Sequence, residues 1–231
     1  MIYKHYYFDE MYNNKNYKDR AFFLSVWVAN VHHIIAFSMA VYNFYFPDCG
    51  GTGRPFEWFY DEVCFLTVDK RFVFACLFCC GYLTFDYIVQ AYIAEVKGDL
   101  AAQTLFHHII GGSGLFIGLS CGFGAPGIGN LTLICEISSI FLNYRTLLFS
   151  RDDVEGFIPL ANRFLFFLTY TIFRMCLFPY GTYKMFINVV YAWDLMSPIA
   201  RIMYIFMLCE YILMFCLNIF WYRLVIRGVL I

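Results

Sequence analysis

The chain has 231 residues, of which 61% are hydrophobic, 22% aromatic and only 14% charged. Soluble proteins carry about 25% charged residues, so this composition excludes an ordinary soluble domain. The formal net charge of −1 removes any electrostatic basis for binding nucleic acid. The sequence therefore predicts an all-α integral membrane protein, with a polar N-terminal segment at 1–20 and one transmembrane domain at 21–231.

Apolar runs of about 20 residues, the length that crosses a bilayer, divide this domain into six helices. The first run is uncharged from Ala21 to Pro47, whereas the uncharged stretch from Leu100 to Cys135 is too long for one span. The glycines of GFGAPGIGN at 122–130 divide that stretch in two. Residues 181–201 fit either a half-helix or an extension of the fifth span. The predicted bundle or barrel has spans at about 21–46, 72–94, 101–121, 128–149, 161–180 and 202–226.

A polar loop at 48–71 separates the first two spans, and its glycines, proline and acids are typical of turns. Cys49 and Cys64 lie in this loop and could form a disulfide if the loop faces an oxidising compartment. Six spans place both termini on one side of the membrane. Lys and Arg are more frequent on that side than on the other, which predicts termini in the cytoplasm, or in the matrix of a mitochondrion.

Polar side chains inside the predicted spans indicate a functional site, because a charge at mid-bilayer is costly and usually faces the interior of the bundle. Asp86 shares a helical stripe with Gln90, and Glu136 shares another with Ser139 and Asn143. The alternative to catalysis is that Asp86 or Glu136 pairs with Arg174 and only holds helices in register. The candidate residues are His32, His33, Asp86, His107, His108, Glu136, Asn143, Arg145, Arg174 and Glu210.

The adjacent pair His107 and His108 is the leading catalytic candidate, together with Asp86 and Glu136. Neighbouring helical residues point about 100° apart, so the pair is poorly placed to chelate, and no metal site is predicted. An imidazole that faces a cavity near one of these acids could act as a general base or a nucleophile in acyl transfer. The alternative is a pair of histidines hydrogen-bonded between helices without chemistry.

Five segments spread along the chain resemble those of the TLC-domain family, which includes the ceramide synthases. They are GYLTFDYI at 81–88, LFHHIIGGSG at 105–114, EISSIFLNYR at 136–145, TIFR at 171–174 and LNIFWYRLV at 217–225. Their order and spacing together are more specific than any one of them. Ceramide synthases continue into an acidic D-x-x-D stretch after the paired histidines, where this chain has Glu136. The resemblance is therefore to the branches outside the ceramide synthases.

This resemblance implies a barrel of about six helices around a lipid-accessible cavity that His107 and His108 line. It implies a protein that binds or processes membrane lipid, by acyl transfer or lipid regulation, with bound lipid or acyl-CoA in place of a cofactor. Membrane lipid is then the expected partner, and the endoplasmic reticulum is the expected location. The alternative is a non-catalytic accessory subunit among other membrane-protein subunits, for example in a respiratory-chain assembly of the mitochondrial inner membrane.

Overall fold

A computed structural model describes residues 17–49, 52–93, 98–121, 125–149 and 155–230. These residues form helices joined by short connections, and no strand occurs among them. Six helical segments are long and apolar enough to cross a membrane, which confirms the predicted all-α membrane bundle. Parts of the predicted polar and loop segments lie outside the described residues, namely 1–16, 50–51, 94–97, 122–124 and 150–154.

The described residues contain nine α-helices, numbered here in chain order. They are α1 (Tyr17–Tyr45), α2 (Glu62–Leu66), α3 (Lys70–Ile88), α4 (Asp99–Cys121), α5 (Ala125–Ile134), α6 (Ile137–Phe149), α7 (Phe157–Thr169), α8 (Phe178–Ala192) and α9 (Pro198–Leu230). Two short 3-10 helices cover Glu57–Phe59 and Trp193–Leu195, and two wider π-helical segments cover Val89–Ile93 and Tyr170–Leu177. The fourth span thus combines α5 with α6, and the fifth combines α7, a π-helical segment and α8.

The fifth membrane segment runs from Phe157 to Leu195 and is longer than the span predicted at 161–180. The ambiguous stretch after residue 180 extends this span and does not form a separate half-helix. Pro179 lies inside the helix, where a proline has no N–H to donate and its ring crowds the preceding turn. A π-helical segment ends just before this proline, so the turn that the proline ring crowds is wider than an ordinary α-helical turn.

The six spans form a closed ring. Starting from α1, the neighbours around the ring are α3, α4 and α9. α9 packs against the fifth span, and α7 of that span packs against α6. α6 packs against α1, which closes the ring. α5 lies inside this ring and touches α1, α3, α4 and α8. Its residues Ile128 and Leu131 are fully buried. α5 therefore fills one end of the ring, and the other end surrounds a cavity.

Small and polar residues allow α5 to lie inside the ring. A side chain at Gly127 would overlap the indole of Trp58, so only glycine permits this close approach. Asn130 is fully buried and accepts a hydrogen bond from the Asn43 amide at 2.8 Å. It also donates to the backbone carbonyl of Phe72 at 3.0 Å. These bonds connect α5 to α1 and α3 and satisfy an amide that would otherwise be costly to bury.

The loop between α1 and α3 covers the end of the ring that α5 fills. A disulfide joins Cys49 to Cys64, and Trp58 between them is 1% exposed. Asp61 and Asp69 cap the starts of α2 and α3, each accepting a hydrogen bond from a backbone N–H of the first turn. The loop is therefore a folded cap, and its disulfide is typical of a side of the membrane that faces an oxidising compartment.

Glu57 organises the tip of this cap. Its carboxylate is 1% exposed and accepts hydrogen bonds from the backbone N–H and the hydroxyl of Thr52, both at 2.6 Å. It also accepts one from the N–H of Gly53 at 2.8 Å, and Gly53 has a φ of 71°, a conformation that glycine adopts without steric cost. The Thr52 hydroxyl, with these N–H groups, holds the pKa of Glu57 below its ordinary value, although burial acts in the opposite direction.

We predict that Glu57→Gln lowers the melting temperature at neutral pH and that this difference disappears in acid. Because the folded pKa of Glu57 lies below its ordinary value of 4.5, the stabilisation is complete above that value and is lost as the pH falls through the folded pKa. Thermal unfolding of both proteins in detergent, from about pH 7 to about pH 3, measures the difference. A difference that stays constant across this range contradicts the prediction.

Candidate functional site

A cavity of about 470 Å³ occupies the end of the ring that α5 leaves open. Its wall includes Phe22 near the start of α1, Gln90 just after α3, Thr104 near the start of α4 and Leu224 near the end of α9. All four positions lie toward the membrane face at which α1 begins and α9 ends. The cavity is thus displaced toward that face, opposite the disulfide-bonded cap. Its volume is in the range of small-molecule binding sites.

Irregular turns interrupt three of the spans that line this cavity. The π-helical segment Val89–Ile93 follows Asp86, and the segment Tyr170–Leu177 contains Arg174. Between α5 and α6, Glu136 lies in a tight turn whose backbone hydrogen bonds span three residues instead of four. Such departures from regular helix are frequent at functional sites. Here each lies beside an ionisable side chain that lines the cavity.

Glu136 contacts two basic side chains from other spans. Its Oε2 lies 2.9 Å from Nδ1 of His33 and 3.8 Å from Nη2 of Arg174. The sequence predicted a pairing of Glu136 with an arginine, and this contact is present. It also placed a member of the His107–His108 pair near Asp86 or Glu136; His108 lies beside Asp86, and the imidazole beside Glu136 is that of His33. The contacts connect the fourth span to α1 and to the fifth span.

Arg174 is 6% exposed and has partners for each of its three nitrogens. Its Nε donates to the Ser138 hydroxyl at 2.7 Å, and its Nη2 donates to the Ser139 hydroxyl at 2.9 Å. Nη1 donates to the Asn218 side-chain oxygen at 3.4 Å. The Tyr170 hydroxyl donates to the backbone carbonyl of Asn218 at 3.1 Å. Sequence reasoning missed Ser138, Tyr170 and Asn218 as site residues, although Asn218 lies in the segment LNIFWYRLV that carries part of the family resemblance.

His108 and Asp86 form a second pair of imidazole and carboxylate. Nδ1 of His108 lies 3.4 Å from Oδ2 of Asp86, and the Gln90 amide donates to the same oxygen at 2.5 Å. The two side chains are 9% and 2% exposed. The pair connects α4 to α3. A carboxylate next to one ring nitrogen of a histidine fixes the orientation of the ring, so the other nitrogen is positioned for proton transfer.

His107 and His32 have mainly apolar neighbours. Nδ1 of His107 lies 2.9 Å from the sulfur of Met214, and its ring is 5.4 Å from that of Trp221. The ring of His32 stacks on that of Tyr82 at 3.8 Å, and its side chain is almost fully buried. Both histidines line the large cavity. All four histidines predicted from the sequence thus line one cavity. Among the described residues, His33 and His108 are the two of them that contact a carboxylate.

The remaining predicted residues separate into two groups. Asn143 and Arg145 line the large cavity from α6. Glu210 lines a smaller cavity of about 60 Å³ beside α4 and α9, and it accepts a hydrogen bond from the Ser113 hydroxyl at 2.7 Å. Arg163 on α7 also lines the large cavity but was missed, because a basic residue near the start of a predicted span was assigned to the adjoining loop.

Two imidazole–carboxylate pairs from different spans therefore face one cavity, an arrangement that suits general base or nucleophilic catalysis. A metal site is a separate question. The described side chains that converge closely enough to bind an ion are Cys49, Glu57 and Cys64. Both sulfurs are joined in the disulfide, so this group in the cap does not fit a metal ion.

These features define a helical integral membrane protein whose ring of six spans encloses a cavity with polar side chains. A family model described as TLC domain matches residues 23–227, which is most of the chain. The chain therefore belongs to the TLC-domain family, whose membrane proteins are generally related to lipid. This confirms the family resemblance, whereas the branch stays a prediction. Neither a curated protein nor a solved structure matches the chain significantly.

We predict that Arg174→Gln lowers the free energy of unfolding by about 1–3 kcal/mol, because it removes the buried guanidinium that contacts the half-buried carboxylate of Glu136 and leaves this carboxylate beside a single imidazole. It also weakens the bonds to Ser138 and Ser139. Thermal unfolding in detergent measures the loss. Arg223→Gln is the matched control, since this arginine is exposed and its removal should change stability by less than about 0.5 kcal/mol. Equal melting temperatures for the two variants contradict the prediction.

Proposed function

We propose that this TLC-domain protein binds a membrane lipid in the large cavity and catalyses acyl transfer there. The observation that supports the proposal is a cavity of about 470 Å³ inside the ring, lined by both imidazole–carboxylate pairs. Imidazole–carboxylate pairs that only held helices in register would not need a cavity beside them. Membership of the TLC-domain family favours lipid as the ligand.

In the proposed reaction, His108 acts as the general base and Asp86 holds its ring. The imidazole removes a proton from a hydroxyl or amine of the acceptor lipid while that oxygen or nitrogen attacks the carbonyl carbon of an acyl thioester. The bond between carbonyl carbon and sulfur then breaks, and the thiol leaves with the proton. The His33–Glu136 pair lines the same cavity and supplies a second base, and His107 lines it beside them.

We further propose that the protein resides in the endoplasmic reticulum with its termini in the cytosol. The Cys49–Cys64 disulfide supports a lumenal position for the cap, because the lumen of this organelle permits disulfides. The large cavity then lies toward the cytosolic face. Acyl-CoA from the cytosol and lipid from the bilayer would both have access to that side.

The first test asks whether the cavity binds lipid. Ala29 is buried and lines the cavity, so the larger side chain of Ala29→Trp should obstruct it and lower the amount of co-purified lipid about tenfold. Mass spectrometry of lipid per chain after purification in mild detergent gives the amount. Val31→Trp is the matched control, because Val31 lies on the same helix and is 57% exposed on its outer surface. Equal lipid content in both variants contradicts lipid binding in this cavity.

The second test concerns the chemistry. We expect His108→Gln and His33→Gln to lower acyl transfer from labelled palmitoyl-CoA to membrane lipid by about 100-fold, the usual lower bound for losing a general base. Lipid content should remain at the wild-type level. Arg223→Gln is the control, because this side chain is exposed and is not among the described residues that line the cavity. Unchanged transfer in both cavity variants would leave lipid binding as the function and exclude catalysis by these pairs.

A non-catalytic accessory subunit is the second candidate, and the outer surface of the cap favours it. Phe56, Tyr60, Val63 and Val68 lie outside the spans and are between 41% and 60% exposed. Apolar side chains on a loop of this kind suit contact with another protein. Gentle purification followed by cross-linking and protein mass spectrometry distinguishes the candidates. Partner chains in fixed stoichiometry, cross-linked to the cap, favour the accessory role, whereas a single chain with bound lipid favours the enzyme.

A further inference from the structure

An acidic side chain of the last span lies near the middle of the bilayer. At one end of this span, the Arg201 guanidinium lies over the Trp193 ring at 5.2 Å, and its Nε donates to the Trp193 carbonyl at 2.9 Å. Such residues mark the membrane interface, and the exposed Arg223 marks it at the other end. Positions 201 and 223 are separated by roughly 33 Å of helix, close to the hydrocarbon thickness. Glu210 lies between them and is therefore near mid-bilayer.

The carboxylate of Glu210 has few partners at this depth. Its Oε1 accepts a hydrogen bond from the Ser113 hydroxyl on α4 at 2.7 Å. Its Oε2 lies against Gly114 and has no hydrogen-bond partner among the described residues. The ion pairs in the described part of the chain do not include Glu210. An ionised carboxylate accepts up to four hydrogen bonds, and a protonated one also needs an acceptor for its O–H, so either form lacks partners.

A groove between α4 and α9 gives access to this carboxylate from the lipid side. Ser113 on α4 and Glu210 on α9 are both half-buried. The residues four positions before and three positions after each of them lie on the same helix face. These four flanking residues are large, apolar and between 52% and 68% exposed, and they are Ile109, Phe116, Phe206 and Leu213. The polar pair therefore lies at the base of a groove with apolar walls.

The bilayer does not offer the missing partners. Acyl chains have no hydrogen-bond donors, and a charge at this depth is costly unless a polar group meets it. A second copy of this chain, related by a twofold axis at the groove, would bring its own Glu210 against the first, and two carboxylates repel each other. A helix of another protein with a basic side chain at mid-span has the opposite charge and several donors. Polar contacts between spans of this kind favour helix association.

We propose that the groove between α4 and α9 binds a transmembrane helix of another membrane protein, and that a lysine or arginine at the middle of that helix contacts Glu210. The apolar walls of the groove would pack against the partner helix on either side of this contact. Glu210 and Ser113 are not among the described residues that line the large cavity, so the interface does not depend on lipid binding or acyl transfer there. It is also separate from the outer surface of the cap.

The test uses the full chain in nanodiscs with a synthetic transmembrane peptide as the probe. Two peptides share one leucine–alanine sequence of about 23 residues and differ only at the central residue, which is lysine or leucine. Resonance energy transfer between labelled chain and labelled peptide gives the apparent affinity of each peptide. We expect wild type to bind the lysine peptide about tenfold more tightly than the leucine peptide, the ratio expected of one polar contact between spans. Glu210→Leu should bind both peptides equally.

The control is Asp194→Leu, which removes an acid whose side chain is 99% exposed between the fifth and sixth spans and should keep the tenfold preference. Equal affinity of wild type for the two peptides overturns the proposed interface. Self-association of wild type that Glu210→Leu abolishes assigns the groove to a second copy and overturns it as well. Neither outcome affects the proposed lipid binding, which the lipid content of Ala29→Trp tests. The wild-type preference decides the question even if the Glu210→Leu variant fails to fold.

Discussion

The cost of placing charge in a bilayer is the constraint on which the rest of this structure depends. An ionised side chain in hydrocarbon must meet an opposite charge or a set of hydrogen-bond partners. Glu136 meets His33 from α1 and Arg174 from the fifth span, while Asp86 meets His108 from α4. The contact between Glu136 and His33 joins the fourth span to the first, and the other two join consecutive spans. They favour the ring order that the packing shows, and the cavity lies where their side chains meet.

The two ends of the ring of spans differ in what occupies them. At the end covered by the disulfide-bonded cap, α5 enters the ring, and glycine at position 127 gives it room against Trp58. At the other end, the same span continues as α6 and presents polar side chains to the cavity. The tight turn at Glu136 separates these two environments and keeps its backbone groups hydrogen-bonded. One span thus closes the protein on one side of the membrane and lines a cavity near the other.

The sequence predicts the spans because apolar runs and a helical period of 3.6 residues determine them locally. The same period predicts which polar residues share a stripe, and Asp86, Gln90, Glu136 and Asn143 all line the cavity. It does not predict that Glu136 meets His33, because the order of helices around the ring depends on contacts between distant segments. The π-helical segments were also missed, and hydropathy left open whether residues 181–201 extend the fifth span, since it does not reveal how a helix accommodates Pro179. Glu210 is also an acid within a span, but it lines a smaller cavity that adjoins the large one at His107, Glu136 and Arg174.

The polar centre contains a part with a full set of hydrogen bonds and a part with unpaired polar atoms. Arg174 has a partner for each of its nitrogens, as expected of a group that holds spans together. Asp86 Oδ1 and both ring nitrogens of His32 are buried without a hydrogen-bond partner among the described residues. Leaving such atoms unpaired costs about 1–3 kcal/mol each, so a purely structural centre would have lost or satisfied them. Asp86 and His32 line a cavity large enough for a ligand, and the polar groups of the proposed lipid would supply the partners that these atoms lack.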